Sequence, residues 1–123
     1  MKTRIKKITL LGVSFIWILS GCETTGHDQY YWGSYENLLY TMYLEPGKAP
    51  PSLQISKLEK DIQKATSRGK VVPPGVYAHL GLMYAANGNI ASSVEAFNTE
   101  KTLYPESQVL IDGMLKRAAL HAK

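Results

Sequence analysis

Apolar residues recur along the chain in two ways. From Ile8 to Leu19 they form a nearly continuous run, ITLLGVSFIWIL. After residue 33 they fall at i, i+3, i+4 and i+7, the period of a helix with one buried face. Tyr35, Leu38, Leu39 and Met42 make the first such stripe, and Leu58, Ile62 and Ala65 the second. Tyr77, Leu80, Gly81 and Tyr84 make the third. Ile90, Val94 and Phe97, with Ser93 as a small neighbour, make the fourth, and Ile111, Met114, Leu115 and Ala118 the fifth. The spacing predicts an all-α fold of about five helices.

Helix breakers and caps divide these stripes at consistent places. Ser34 is placed to cap a first helix over 34–44, its side chain accepting from first-turn amides, and Pro46-Gly47 stops it. After the stiff linker KAPP, Ser52 is the candidate cap of a second helix over 52–66, with Gly69 suited to the left-handed position just beyond it. Lys57, Glu59, Lys60, Asp61, Gln63 and Lys64 surround its apolar row and read as a solvated face. Pro74 fits the first turn of the third helix. Gly88 ends that helix and Asn89 caps the fourth. The fifth follows Pro105, and Lys116, Arg117 and Lys123 give its end the sign that suits a helix C-terminus.

The stretch 74–105 carries more than periodicity. Tyr77 is followed by Leu80-Gly81 and then Tyr84, Gly88 falls at the turn, and Ser93, Phe97 and Pro105 follow at fixed intervals. This pattern resembles a tetratricopeptide repeat, whose unit is about 34 residues. Gly81 and Ser93 then let two helices approach, while Tyr77, Tyr84 and Phe97 fill the space beside them. Glu100 departs from the pattern, which places a small residue there. The fifth helix resembles the capping helix of such arrays, and the first two match the repeat consensus poorly. The resemblance implies a TPR-like helical domain over 34–123, with 74–105 as its best repeat.

Charge changes the reading of the N-terminus. The 123 residues carry a formal charge of +4. Lys2, Arg4, Lys6 and Lys7 all precede the apolar run, and from Cys22 onward basic and acidic side chains balance. A nucleic-acid footprint needs a basic patch on the folded domain, and none is expected. The run itself is shorter than the about 20 apolar residues of a spanning helix and suits a signal-peptide core over 1–21. Leu19-Ser20-Gly21-Cys22 resembles a bacterial lipobox. It implies that Cys22 is acylated, with palmitate among its chains, and becomes the first residue of the mature protein. Two or more acyl chains hold a protein stably on a membrane, whereas one gives reversible binding. Glu23 follows the cysteine where an aspartate would resemble an inner-membrane retention signal. The expected location is therefore the outer membrane, facing the periplasm.

Residues 22–33 read as a lipidated tether running into an aromatic lead-in segment, Tyr30, Tyr31 and Trp32. With Tyr35, Tyr40 and Tyr43 these are six of the chain's twelve aromatic residues. Two readings stand: core filling in a small domain, or an exposed membrane-interface belt or glycan platform built on apolar rings with polar tips. Tyr35 belongs to the first stripe; Tyr30, Tyr31 and Trp32 precede the helix and are the candidates for exposure.

Catalytic chemistry is not indicated. His27, His79 and His121 are scattered, with no metal-ligand spacing. Cys22 is the only cysteine, and no nucleophile elbow, phosphate loop or zinc-protease motif occurs. No cofactor, metal site or catalytic residue is expected, and the protein is read as a non-enzyme. Binding is the better-supported class. The third helix is apolar nearly all round, and such a helix is normally covered on both sides. A TPR-like arrangement implies a concave face of Ala78, His79, Leu82, Ala85 and Ala86, covered either by the first helix or by a partner.

The lipobox, YYWGSYENLLY and the single repeat ending LYPES together resemble a family of small uncharacterised bacterial lipoproteins. Its members are often encoded beside a lipoprotein similar to the curli-secretion channel. That resemblance implies a lipid-anchored adaptor for protein–protein interaction in an outer-membrane lipoprotein assembly. The partners implied are envelope proteins, a curli-secretion-channel-like lipoprotein among them, with no nucleic acid. The competing readings are an activator of a peptidoglycan synthase, a glycan binder using Tyr30, Tyr31 and Trp32, and a pilotin-like escort of an outer-membrane channel.

Overall fold

A computed structural model describes residues 29–121 of the chain. The signal segment 1–21, Cys22, the tether to Asp28 and the Ala118 side chain lie outside the described residues. The described residues fold as five α-helices: α1 (Tyr35–Leu44), α2 (Pro51–Ser67), α3 (Val76–Ala86), α4 (Ile90–Leu103) and α5 (Gln108–His121). A 3-10 turn, Pro105–Ser107, leads into α5. No strand occurs among the described residues, and an isolated parallel bridge joins Tyr30 to Val71. The all-α expectation holds.

Several boundaries follow the local chemistry named above. Both α2 and α3 end in the same way. Gly69 and Gly88 take positive φ, 62° and 81°, which glycine adopts without a Cβ clash. Each then lets the next amide reach back five residues, Lys70 N–H to Ala65 O at 3.0 Å and Asn89 N–H to Tyr84 O at 2.9 Å. These are Schellman closures. Asn89 caps α4, its side chain accepting from Ser92 N–H at 3.1 Å.

Three starts differ from expectation. Helix α2 begins at Pro51, with Pro50 as the flanking residue and no side-chain cap, so Ser52 is not its cap. Proline at the first helical position has no N–H to satisfy, which removes the need for one. Helix α3 begins at Val76, after Pro74 and Gly75. Ser34 flanks α1 without capping it; its hydroxyl is turned to a carboxylate of α2 instead.

Two apolar clusters hold the helices together. The larger joins Leu38 of α1, Leu58 and Ala65 of α2, Val76 and Leu80 of α3, and Ala96 of α4, with Val72 of the linker. The smaller joins Ala78, Phe97 and Ile111, where Met114 and Leu115 of α5 pack. Helices α3 and α4 meet most closely at Gly81. A Cβ there would stand 2.8 Å from the Phe97 ring, so only glycine fits. The Ser93 hydroxyl donates to Gly81 O at 2.7 Å across the same contact. Close approach at Gly81 and Ser93 is thus built as the sequence spacing predicts.

Candidate functional site

Polar side chains with partners far along the chain shape the surface around α3. Glu100 of α4 is fully buried and accepts from Gly75 N–H at 2.7 Å and Ala78 N–H at 3.3 Å. Its carboxylate therefore stands at the start of α3, where orphan amides and the positive end of the helix dipole favour an anion. The one departure from the repeat pattern is a cap delivered from the next helix. Asp61 of α2 is also buried, although its surroundings in the sequence read as a solvated face. It accepts from Ser34 N–H at 2.7 Å and from the Ser34 hydroxyl at 2.6 Å. A Cβ at Gly33 would collide with that carboxylate. The α2 face is in this respect corrected: Asp61 pins the entrance of α1.

His79 sits at the centre. It is buried, and its Nε2 lies 2.7 Å from Gln54 Oε1. The Gln54 amide nitrogen donates to Ala49 O, so its oxygen is left to accept, and His79 carries its proton on Nε2. The Tyr35 ring meets the imidazole edge-on at 5.7 Å. Burial pushes the His79 pKa below its ordinary value, which keeps the imidazole neutral. Burial likewise raises Tyr35 and Tyr77, with Glu100 adding in the same direction. On the other side of α3, the Tyr84 hydroxyl donates to Glu59, and this bond pushes its pKa up to about 12.

Above His79 an apolar groove of about 290 Å³ opens between α1 and α3. Tyr35, Leu39, Met42 and Tyr43 form the α1 wall. Ala78, His79, Leu82 and Met83 form the α3 side, and Leu110 of α5 stands at one edge. No charged side chain lines it. Of the five residues expected on a concave face, the structure brings Ala78, His79 and Leu82 together here. Ala85 and Ala86 do not line the groove, and Ala86 is exposed at the end of α3. Ala78 and His79 are covered, whereas Leu82 remains 41% exposed. Helix α1 thus covers the α3 face in part, leaving a mouth beside Leu82. Of the α1 residues in the wall, Tyr35, Leu39 and Met42 were legible only as part of a core stripe, and Tyr43 only as one of the clustered aromatics.

The aromatic lead-in segment lies along the domain. Tyr31 N–H donates to Val71 O, and Val71 N–H to Gln29 O, both at 3.0 Å. Tyr30 and Tyr31 are half-buried, and Arg68 stands over the Tyr31 ring at 4.9 Å. Trp32 is more exposed and has Tyr30 and Tyr35 as ring neighbours at 6.3 and 6.2 Å. Tyr104, just before Pro105, donates to Val72 O at 2.5 Å, so the linker before α3 is held from both sides.

Residues 29–114 match the family described as Domain of unknown function (DUF4810). The chain belongs to that family. The match begins at the residue whose carbonyl pairs with Val71 N–H and ends halfway along α5, so it takes in α1 to α4 and the first half of α5. No curated protein and no solved structure matches the chain. Among the described residues, no group of three or more His, Cys, Asp or Glu is placed to hold a metal ion. No helix among them is long and apolar enough to cross a membrane.

Proposed function

We propose that the protein is a lipid-anchored adaptor of the cell envelope, a TPR-like helical domain that docks an apolar segment of another envelope protein. The observation that carries the reading is the groove beside Leu82: apolar, uncharged, partly open, and floored by a neutral histidine whose Nε2 is bonded to Gln54. Such a concavity favours binding through desolvated apolar contact. The closing glycine of α3, the Gly81–Phe97–Ser93 contact and the helix–turn–helix pairing support the TPR-like description. The lipobox-like Leu19–Cys22 supports acylation at Cys22 and a periplasm-facing outer-membrane location. A lipoprotein similar to the curli-secretion channel is the partner implied by the family resemblance. No catalytic role is proposed, since the titratable side chains around the groove are engaged in holding helix ends and packing.

The test uses the full chain in cells. Cys22→Ser is expected to abolish palmitate incorporation and membrane fractionation. Leu82→Glu is expected to leave the fold and the anchor intact and to remove co-purifying envelope protein. Membrane association without label in Cys22→Ser contradicts the anchor; unchanged co-purification in a folded Leu82→Glu variant contradicts the groove. A second reading, glycan binding, is favoured by the exposure of Trp32 beside Tyr30 and Tyr35. Pelleting with purified sacculi separates the two, because an adaptor for protein alone stays in the supernatant.

A further inference from the structure

Helix α1 has a second apolar stripe toward its C-terminal end, turned away from the core and meeting the groove at Tyr43. Tyr40, Tyr43 and Leu44 are 60%, 74% and 63% exposed. They stand at i, i+3 and i+4, so they share one side of the helix. That side lies opposite Leu38, which is fully buried. The helix YENLLYTMYL contains no lysine or arginine, and Glu36 is its only charged residue. Two tyrosines and a leucine in one exposed stripe are the residue types that settle at a membrane–water boundary, apolar body inward and hydroxyl outward.

Chain length selects the occupant. Gln29 stands seven positions after Cys22, and that length of chain spans at most about 25 Å whatever its conformation. Gln29 is fixed to Val71 by a backbone hydrogen bond, and α1 begins six residues later. The Tyr40–Tyr43–Leu44 stripe is therefore part of the first helix beyond the tether. A domain held this closely meets the bilayer, whose interfacial layers add roughly 10–15 Å to the hydrocarbon core.

We propose that α1 seats on the lipid bilayer through Tyr40, Tyr43 and Leu44, which turns the domain so that this helix faces the membrane. The inference rests on the acylation of Cys22 in the reading above. Because α1 carries no basic side chain, the seating depends on interfacial burial of the rings and not on attraction to anionic lipid. Tyr43 belongs to both the stripe and the groove wall, so the groove opens beside the bilayer surface and receives a membrane-proximal segment.

The experiment uses the full chain, extracted from membranes and reconstituted in phosphatidylethanolamine/phosphatidylglycerol vesicles with or without brominated phosphatidylcholine. A single tryptophan reports position: Tyr43→Trp on α1 or Gln63→Trp on the exposed side of α2, each with Trp32→Phe. The acyl state of Cys22 is read by mass spectrometry on the same samples. Brominated lipid is expected to quench the Tyr43→Trp variant several-fold more than the Gln63→Trp variant, with no loss at high salt. Equal quenching in acylated protein overturns the seating and leaves the anchor standing, and assigns the stripe to a protein or glycan surface. An unacylated Cys22 overturns both.

Discussion

Helix α1 and the α3–α4 hairpin are both rich in large apolar side chains, but the hairpin seals three of them, Val76, Leu80 and Phe97, where α1 seals Leu38 alone. The difference lies in the small residues. Helix α3 carries Ala78, Gly81, Ala85 and Ala86, and α4 carries Ser93 and Ala96, so the two backbones approach until Phe97 rests on Gly81. Helix α1 has no glycine, alanine or serine. It inserts one fully buried side chain, Leu38, leans Tyr35 on His79, and is pinned at its start through Ser34 and Asp61. Its far side stays outside. Large residues without small partners cover a neighbour on one face and remain available on the other.

The largest effect is expected where the hairpin closes. Phe97→Ala removes a fully buried ring and is expected to lower stability by about 3–5 kcal/mol, read as a shift in the urea midpoint. Gly81→Ala forces a methyl against the same ring at an expected cost of about 1–3 kcal/mol. Because both act on one contact, the double variant should lose less than the sum of the two. Additive losses would mean that the hairpin is not closed by this contact.

Glu100→Ala comes next. It strips the start of α3 of a buried acceptor shared by two amides, and charged hydrogen bonds of this kind are worth about 1.5–3 kcal/mol. Glu100→Gln keeps an acceptor and should recover part of the loss. On the α1 side, Asp61→Ala is expected to cost about 1–2 kcal/mol, and segment-resolved amide exchange should place the damage in α1 with α3 and α4 unchanged. Damage spread evenly over all helices would erase the distinction between the two regions.

A weaker effect is expected from acid. His79 has a pKa lowered by burial from its ordinary 6.5, so the unfolded chain binds that proton more readily than the folded one. Its contribution to stability is therefore complete above the unfolded value and is lost as pH falls from there through the lowered folded value. Urea midpoints of wild type and His79→Gln, compared between about pH 7.5 and about pH 5, should show a steeper acid decline in wild type. The smallest effect is expected on the exposed stripe: Tyr40→Ser should change stability by no more than about 0.5 kcal/mol.

Features that depend on near neighbours were legible in the sequence. The five stripes, the closing Gly69 and Gly88, the Asn89 cap and the Gly81–Ser93 approach all rest on spacings of a few residues or on one helix pair. What was not legible is polar and long-range. Asp61 reaches Ser34 across 27 positions, Glu100 reaches Gly75 across 25, and His79 reaches Gln54 across 25. No periodicity announces a carboxylate that turns inward, and beside Lys57, Lys60 and Lys64 a buried Asp61 looks the same as a solvated one. The groove was half legible: Ala78, His79 and Leu82 were expected on one face, while the α1 wall required knowing which side of that helix meets α3. Ser52 shows the reverse case, a good local cap set aside because Pro51 already starts the helix without one.

The division between a closed hairpin and an open α1 side is tested most directly by hydrogen exchange on the acylated, membrane-bound protein, resolved by helix. Amides of α3 and α4 should exchange together and slowest. Those of α1 should exchange at least about tenfold faster, equivalent to about 1.4 kcal/mol of lower opening free energy. A single common rate for α1, α3 and α4 would contradict it, because α1 would then be as integral to the core as the hairpin itself.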